Sequence, residues 1–269
     1  MMNLMLLTGD PAYAKRAQDC GVDRIFIDLE YINKAERQRG RNTYITQYTL
    51  DTIAPIRKVI IKSKLLVRVN PIHSNSKMEI DRAIDEGADM LMLPMAYDAH
   101  DVENFISMVD GRAYTIPMIE TAQAMVHLDD ILAVKGIDEL FIGLNDLHIS
   151  LGLSFMFEPL SGGLVEYMGK KINAKGIPWG FGGIAKIGEG LLPAEKIIAE
   201  HYRLGSTSVI LSRTFRNEVD AAGKKVLDLK EEVGKIRTTE MEIEQWSQKQ
   251  FNDNMAEVII GVNRIITKI

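Results

Sequence analysis

The chain has 269 residues, 46% of them hydrophobic and 26% charged, with a formal net charge of −5. That length is close to the roughly 250 residues of a single (β/α)₈ barrel, and the composition supplies one large core. The acidic balance gives no electrostatic reason to expect nucleic acid or an anionic membrane surface as a partner, and the lone cysteine, Cys20, excludes an intramolecular disulfide.

The opening MMNLMLLTGD has no basic start, and its apolar run stops at Thr8-Gly9-Asp10. It is too short for a signal peptide core or a membrane span and reads as a first strand. No later run approaches a spanning length, so the expectation is a cytoplasmic protein with neither membrane nor nucleic-acid partners. Short apolar runs predict strands at 4–8, 24–30, 65–70, 90–94, 114–120, 139–144, 177–181 and 207–212, with helix-period segments between them. Several of these strands open after a helix-ending glycine, such as Gly21 or Gly205. Strands alternating with helices imply parallel βαβ units, and eight of them imply a closed (β/α)₈ TIM barrel. An open doubly wound sheet is the alternative, although the first βα turn, Thr8-Gly9-Asp10-Pro11, lacks the glycine fingerprint of a dinucleotide site.

After the second strand, residues 31–49 are polar and basic, with the run KAERQRGRNTYITQ. They read either as a functional loop over the barrel mouth or as a solvated helix start. Beyond Phe215 the pattern changes. Val226, Leu229, Val233 and Ile236 follow a three-four spacing, and Phe251, Met255, Val258, Val262 and Ile265 repeat it. The chain therefore divides into a barrel catalytic domain, 1–215, and C-terminal helices, 216–269, that form an oligomerisation or lid element. The apolar face of the last helix packs either on its own barrel or on a neighbouring subunit.

Barrels of this class carry their chemistry at the C-terminal ends of the strands and in the loops that follow. Here those ends hold Asp28 and Glu30, Arg68 and Asn70, Glu120, and then Asn145 and Asp146. Asp28 and Glu30 are two apart and share a strand face, as do Arg68 and Asn70. Carboxylates from the fifth and sixth strands, Glu120 and Asp146, suit a hard cation such as Mg²⁺ or Mn²⁺, which stabilises an enolate while a carbon–carbon bond breaks or forms. The alternative is that these acids form ion pairs with arginines at the barrel rim. The five histidines show no metal-ligand spacing; His148, near Asp146, reads as a surface residue at a helix start or as facing the site. Trp179-Gly-Phe-Gly-Gly offers backbone amides to a phosphate, or serves close packing alone.

The stretches GVDRIFIDLE, LLVRVN, GADMLMLPMA, IPMIETAQAM, FIGLNDLHISLG and LGSTSVILSRTF resemble the HpcH/HpaI aldolase and citrate lyase β-subunit superfamily, in order and spacing, over about residues 3–215. The resemblance implies a metal-dependent lyase in which Glu120 and Asp146 bind Mg²⁺ or Mn²⁺. It implies that Arg68 contacts the keto or enolate oxygen, that backbone amides near Asn145 and Asp146 hold the substrate carboxylate, and that the protein is a homo-oligomer, a trimer or hexamer. The expected substrate is a small keto acid or acyl compound, a 4-hydroxy-2-keto acid or a related β-hydroxy acyl compound, with a metal-bound water, or Asp28 or Glu30 through a water, removing the hydroxyl proton. One departure stands out: Tyr31 occupies the position where the pyruvate aldolases carry histidine and the citrate lyase branch an acid, and an unperturbed tyrosine is a poor base near neutrality. Lys34, Arg37, Arg39 and Arg41 are candidate anion contacts, which keeps open a CoA-thioester lyase or thioesterase. A non-catalytic binding barrel is the third reading.

Overall fold

The computed structural model describes residues 1–37, 47–216, 218 and 227–268. Every apolar run predicted to be a strand carries one: β1 (Asn3–Leu7), β2 (Arg24–Asp28), β3 (Lys64–Arg68), β4 (Met90–Leu93), β5 (Tyr114–Ile119), β6 (Leu140–Ile142), β7 (Trp179–Ile184) and β8 (Ser208–Leu211). Neighbours pair in parallel and β8 returns to β1, so the sheet is a closed barrel and the doubly wound alternative falls. Pairing stops at Asp28 and Arg68, two residues before the ends the pattern suggested, where charged side chains gather over the barrel mouth. Strand β7 instead runs on to Ile184, carried past a register shift beside β8 by Gly182 and Gly183.

Strand alternation divides the apolar residues into two layers. One set, including Phe26, Leu66, Ile116 and Phe141, fills the barrel interior together with Met5, Met90, Met92 and Met118. Unbranched methionines suit this tapering space, whose walls come from eight different strands. The other set, with Ile25, Ile27, Leu65, Val67 and Leu91, faces outward against the helices.

The segment after β8 is tied into the barrel. Within helix Leu229–Ile243, buried Glu240 accepts from the Met2 backbone N–H at 2.6 Å and from the Tyr202 hydroxyl at 3.1 Å. Arg237 of the same helix reaches Asp23 at 2.6 Å and the Met2 carbonyl at 2.8 Å. The last helix, Gln248–Ile266, lies on helix Ala194–Leu204, where Asn254 donates to the Lys196 carbonyl at 3.0 Å and to Glu200 at 2.9 Å. Its buried residues, Asn254, Val258 and Val262, thus face its own barrel, while Ile260 on the same helix stays exposed.

The N-terminal end of the barrel is closed by a buried ion pair. Arg24 meets Glu139 through two bonds of 2.9 and 2.7 Å, and the Ser208 hydroxyl adds a third at 2.6 Å. A fully paired charge of this kind contributes little net stability, but removing one partner strands the other in the core. Arg24→Met is expected to lower unfolding free energy by about 3–5 kcal/mol, and the double variant Arg24→Met/Glu139→Met to recover most of that loss. Urea denaturation of the four proteins of the cycle checks it.

Candidate active site

Neighbouring strands bring the first charges together. Asp28 and Arg68 are register partners at the ends of β2 and β3, and Arg68 grips Asp28 through Nε at 2.9 Å and Nη2 at 2.8 Å. The remaining guanidinium nitrogen, Nη1, meets the Met118 sulfur at 3.7 Å, a weak acceptor, beneath a guanidinium 5.5 Å from the Phe26 ring centre. Burial alone would raise the Asp28 carboxyl, but the Arg68 guanidinium and then Lys34 outweigh it and hold it well below the usual carboxylate range.

The polar segment after β2 turns inward. A single helical turn, Lys34–Arg37, places two cations three residues apart on one face. Lys34, only 2% exposed, lies 2.6 Å from Asp28 and 3.1 Å from Glu30. Arg37 bridges Glu30 at 2.6 Å and Asp146 at 2.7 Å. Neither is a solvated helix start nor a rim contact for an incoming anion: both are counter-ions built into the site. Arg39 and Arg41 lie outside the described residues. The Tyr31 side chain is 67% exposed, and its backbone N–H donates to Asn70 Oδ1 at 2.9 Å. Asn70 also donates to Glu79 at 2.7 Å, so it shapes this loop rather than facing a ligand.

Glu120 follows β5 and is buried to 1% exposure. Its Oε1 accepts from the Met95 backbone N–H at 2.9 Å, and a side chain at Gly143 would collide with its Oε2, so glycine is required there. Burial, then the charges of Asp146 and Glu30, push the Glu120 carboxyl up to about 8; Arg68 and the Met95 N–H pull it back only in part. Asp146 sits in the first turn of helix Leu144–Ser150 beside Asn145. Asp28, Arg68, Glu120, Asn145 and Asp146 all line one cleft of 340 Å³, whereas Glu30 stands behind Lys34 and Arg37. His148 is buried, with Nδ1 3.2 Å from the Leu144 carbonyl; it is neither on the surface nor in the wall of the cleft.

Two hard carboxylates, one of them lifted by burial and then by neighbouring negative charge, match the donor chemistry of a small divalent cation. No group of three His, Cys, Asp or Glu converges among the described residues, so an ion held by Glu120 and Asp146 would complete its shell from water and ligand oxygens. Sequence reasoning missed the Met95 N–H and the Gly143 gap, which carry no side-chain signal, and also Arg213 and Arg216, which line the far side of the cleft.

Residues 2–157 match the family model described as HpcH/HpaI aldolase/citrate lyase. The 2-keto-3-deoxy-L-rhamnonate aldolase of Escherichia coli (strain K12) is 26% identical over 212 residues, covering 66% of this chain and 73% of that protein. The crystal structure of an HpcH/HpaI aldolase from Desulfitobacterium hafniense DCB-2 superposes with a TM-score of 0.63 at 18% identity, covering 78% of this chain and 86% of that one. An HpcH/HpaI aldolase/citrate lyase family protein from Burkholderia cenocepacia J2315 gives 0.63 at 16% identity, covering 91% and 95% of the two chains. At such identities the two structures speak for the fold.

Arg37 is the counter-charge of Asp146 and Glu30, so its loss exposes what those acids need. Without divalent ion, Arg37→Met is expected to cost up to about 3 kcal/mol of stability, because Glu30 and Asp146 each lose one buried ion-pair contact. Its Mn²⁺ affinity, read from the paramagnetic signal of the free ion, should tighten by about ten-fold or more, equivalent to about 1.4 kcal/mol. Unchanged Mn²⁺ binding would show that Arg37 and the ion do not share Asp146.

Proposed function

The chain belongs to the HpcH/HpaI aldolase/citrate lyase family and is a carbon–carbon lyase, and on that premise we propose that it reversibly cleaves a 4-hydroxy-2-keto acid to a pyruvate-type fragment and an aldehyde. The observation that carries this reading is Arg68. Asp28 occupies two of its nitrogens and turns the third, Nη1, towards the cleft that Glu120 and Asp146 line. That donor is placed for the keto oxygen, where negative charge grows as the bond between C3 and C4 breaks.

Glu120 and Asp146 would hold Mg²⁺ or Mn²⁺, which when bound supplies Lewis-acid polarisation of the same oxygen. In the cleavage direction the C4 hydroxyl loses its proton, the C3–C4 electron pair moves to the keto acid as an enolate, the aldehyde departs, and C3 is then protonated. Asp28, held well below the carboxylate range, is a poor acceptor for the hydroxyl proton, and its role is to position Arg68. Water in the cleft relays that proton out to solvent, where buffer takes it up. Glu30 anchors Lys34 and Arg37, and the backbone amides at Asn145 and Asp146 receive the substrate carboxylate. With Lys34 and Arg37 turned inward, the CoA-thioester alternative loses two of its four candidate anion contacts. A cytoplasmic setting, supported by the single unpaired Cys20, and a homotrimer or homohexamer complete the proposal.

Pyruvate release from a panel of 4-hydroxy-2-keto acids tests it. Glu120→Gln and Asp146→Asn should each reduce kcat/KM by about 10³-fold or more, the loss of roughly 4 kcal/mol of transition-state stabilisation. Arg68→Lys should lose nearly as much, because a point charge cannot hold Asp28 through two bonds and still present a third donor. Full turnover after exhaustive chelation would reject the mechanism.

A further inference from the structure

The cations at the barrel mouth depend on a turn that is set from outside the cleft. After Glu30 the chain turns at Ile32 and Asn33, and Lys34 then opens the helical turn Lys34–Arg37. Asn33 has a φ of +58°, a left-handed conformation that a residue with a side chain adopts at a cost. What holds the turn is Asn70. Its Oδ1 accepts from the Tyr31 N–H at 2.9 Å and from the Ile32 N–H at 3.1 Å, so one oxygen orders two consecutive peptide groups. The Lys34 N–H closes the turn on the Tyr31 carbonyl at 3.2 Å. From there Lys34 reaches Asp28 and Glu30, and Arg37 reaches Glu30 and Asp146.

A side-chain amide donates at one end and accepts at the other, so the turn holds only if Asn70 presents its oxygen. Glu79 makes that choice. It lies in helix Ser76–Asp85, buried, and its carboxylate can only accept. Asn70 Nδ2 donates to Glu79 Oε1 at 2.7 Å, and the Asn70 backbone N–H lies 3.3 Å from both carboxylate oxygens. With its NH₂ group committed to the acid, Asn70 has only Oδ1 left for Tyr31 and Ile32. Burial pushes the Glu79 carboxyl up, and the Asn70 bonds, then His73, draw it back in part. Among the described residues, Asn70 supplies every hydrogen bond that this carboxylate accepts. A buried acid is costly to keep, and here its contacts all go into orienting one amide.

We infer that Glu79 is a positioning residue of the site: acting through Asn70, it fixes the turn that sets Lys34 and Arg37 over the carboxylates around Arg68. Its consequence for turnover rests on the aldol reading above, in which the field at Arg68 meets the developing oxyanion.

Exchanging the two groups tests it. Asn70→Asp keeps an acceptor for Tyr31 and Ile32 but sets a second carboxylate against Glu79, so the turn should open. Asn70→Asp/Glu79→Gln again faces one donor with one acceptor, amide and acid having changed places at constant net charge. Acetic anhydride labelling without substrate, read by mass spectrometry, reports the turn. Lys34, which is buried, should react about ten-fold faster or more in Asn70→Asp and near the wild-type rate in the double variant. Lys171 and Lys196, part-exposed on other helices, should keep their rates, whereas a loss of folding would raise all three. Glu79→Gln alone, which leaves Asn70 one acceptor, should act in the same direction more weakly, and it replaces Asn70→Asp if that protein does not fold. Pyruvate release should follow the labelling: kcat falls about ten-fold in Asn70→Asp while KM moves less, because the field acts on charge present only in the transition state, and the double variant recovers it. An unchanged Lys34 rate, a double variant no better than Asn70→Asp, or an exposed Lys34 with full kcat overturns the positioning role. A wild type that releases no pyruvate rejects the aldol reading instead, and the labelling still decides the turn.

Discussion

The two-pronged contact between Asp28 and Arg68 sets up everything at the mouth of the barrel. It is a consequence of register: parallel pairing puts the two residues side by side, and the strand period turns both inward. Once Arg68 is there, buried in low dielectric, each nearby charge must be matched or left at a cost. Among the described residues, four carboxylates, Asp28, Glu30, Glu120 and Asp146, share three cations, Lys34, Arg37 and Arg68. The shortfall falls on Glu120, which is buried and faces Asp146 and Glu30, and its carboxyl is pushed up to about 8. Burial is the first cause of that shift and the neighbouring acids the second, and a divalent ion at Glu120 and Asp146 would take the place of the proton, which is what supports the proposed metal.

The opposite end of the same barrel shows what a structural charge cluster looks like. There Arg24 and Glu139 match one to one, with Ser208 satisfying Glu139 further. Between the two ends lies an apolar plug rich in methionine. The barrel is thus polar at both ends, but among the described residues the C-terminal end adds an excess of carboxylates over cations, a cleft they line and a strong donor with a weak partner. Those three features together, rather than the mere presence of acids, separate a site from a salt bridge.

Much of this was legible in the sequence, and the failures have specific causes. The strand count came through because apolar runs and helical periods alternate cleanly, while the strand ends did not, since a charged residue looks the same whether it finishes a strand or begins a loop. The convergence of Glu120 and Asp146 on one cleft followed from barrel rules, whereas the pairing of Asp28 with Arg68 depends on the register of β2 and β3, which the sequence does not specify. The sequence leaves the two readings of Lys34 and Arg37 open because a basic helical turn has one composition whether it faces water or folds back over buried carboxylates; the distinction lies in the turn at Tyr31–Ile32, fixed by hydrogen bonds to Asn70. The Met95 N–H and the Gly143 gap left no trace in side-chain chemistry. Tyr31, conspicuous in sequence for replacing a histidine or an acid, is used through its backbone.

Lys34 gives the cluster its final balance. A guanidinium bound by one carboxylate alone is close to neutral seen from a few ångströms away, and Arg68 would then have little field left for a developing oxyanion. Lys34 lies 2.6 Å from the same Asp28 and 3.1 Å from Glu30, so the negative charge facing Arg68 is divided between two cations. Arg68 keeps its orientation from Asp28 while more of its positive potential reaches the cleft. Burial strengthens this, since water cannot screen a pair that is almost wholly enclosed. In the proposed reaction, the loop that carries Tyr31 would then contribute through a lysine three residues further on, which sets the field at Arg68 rather than moving a proton.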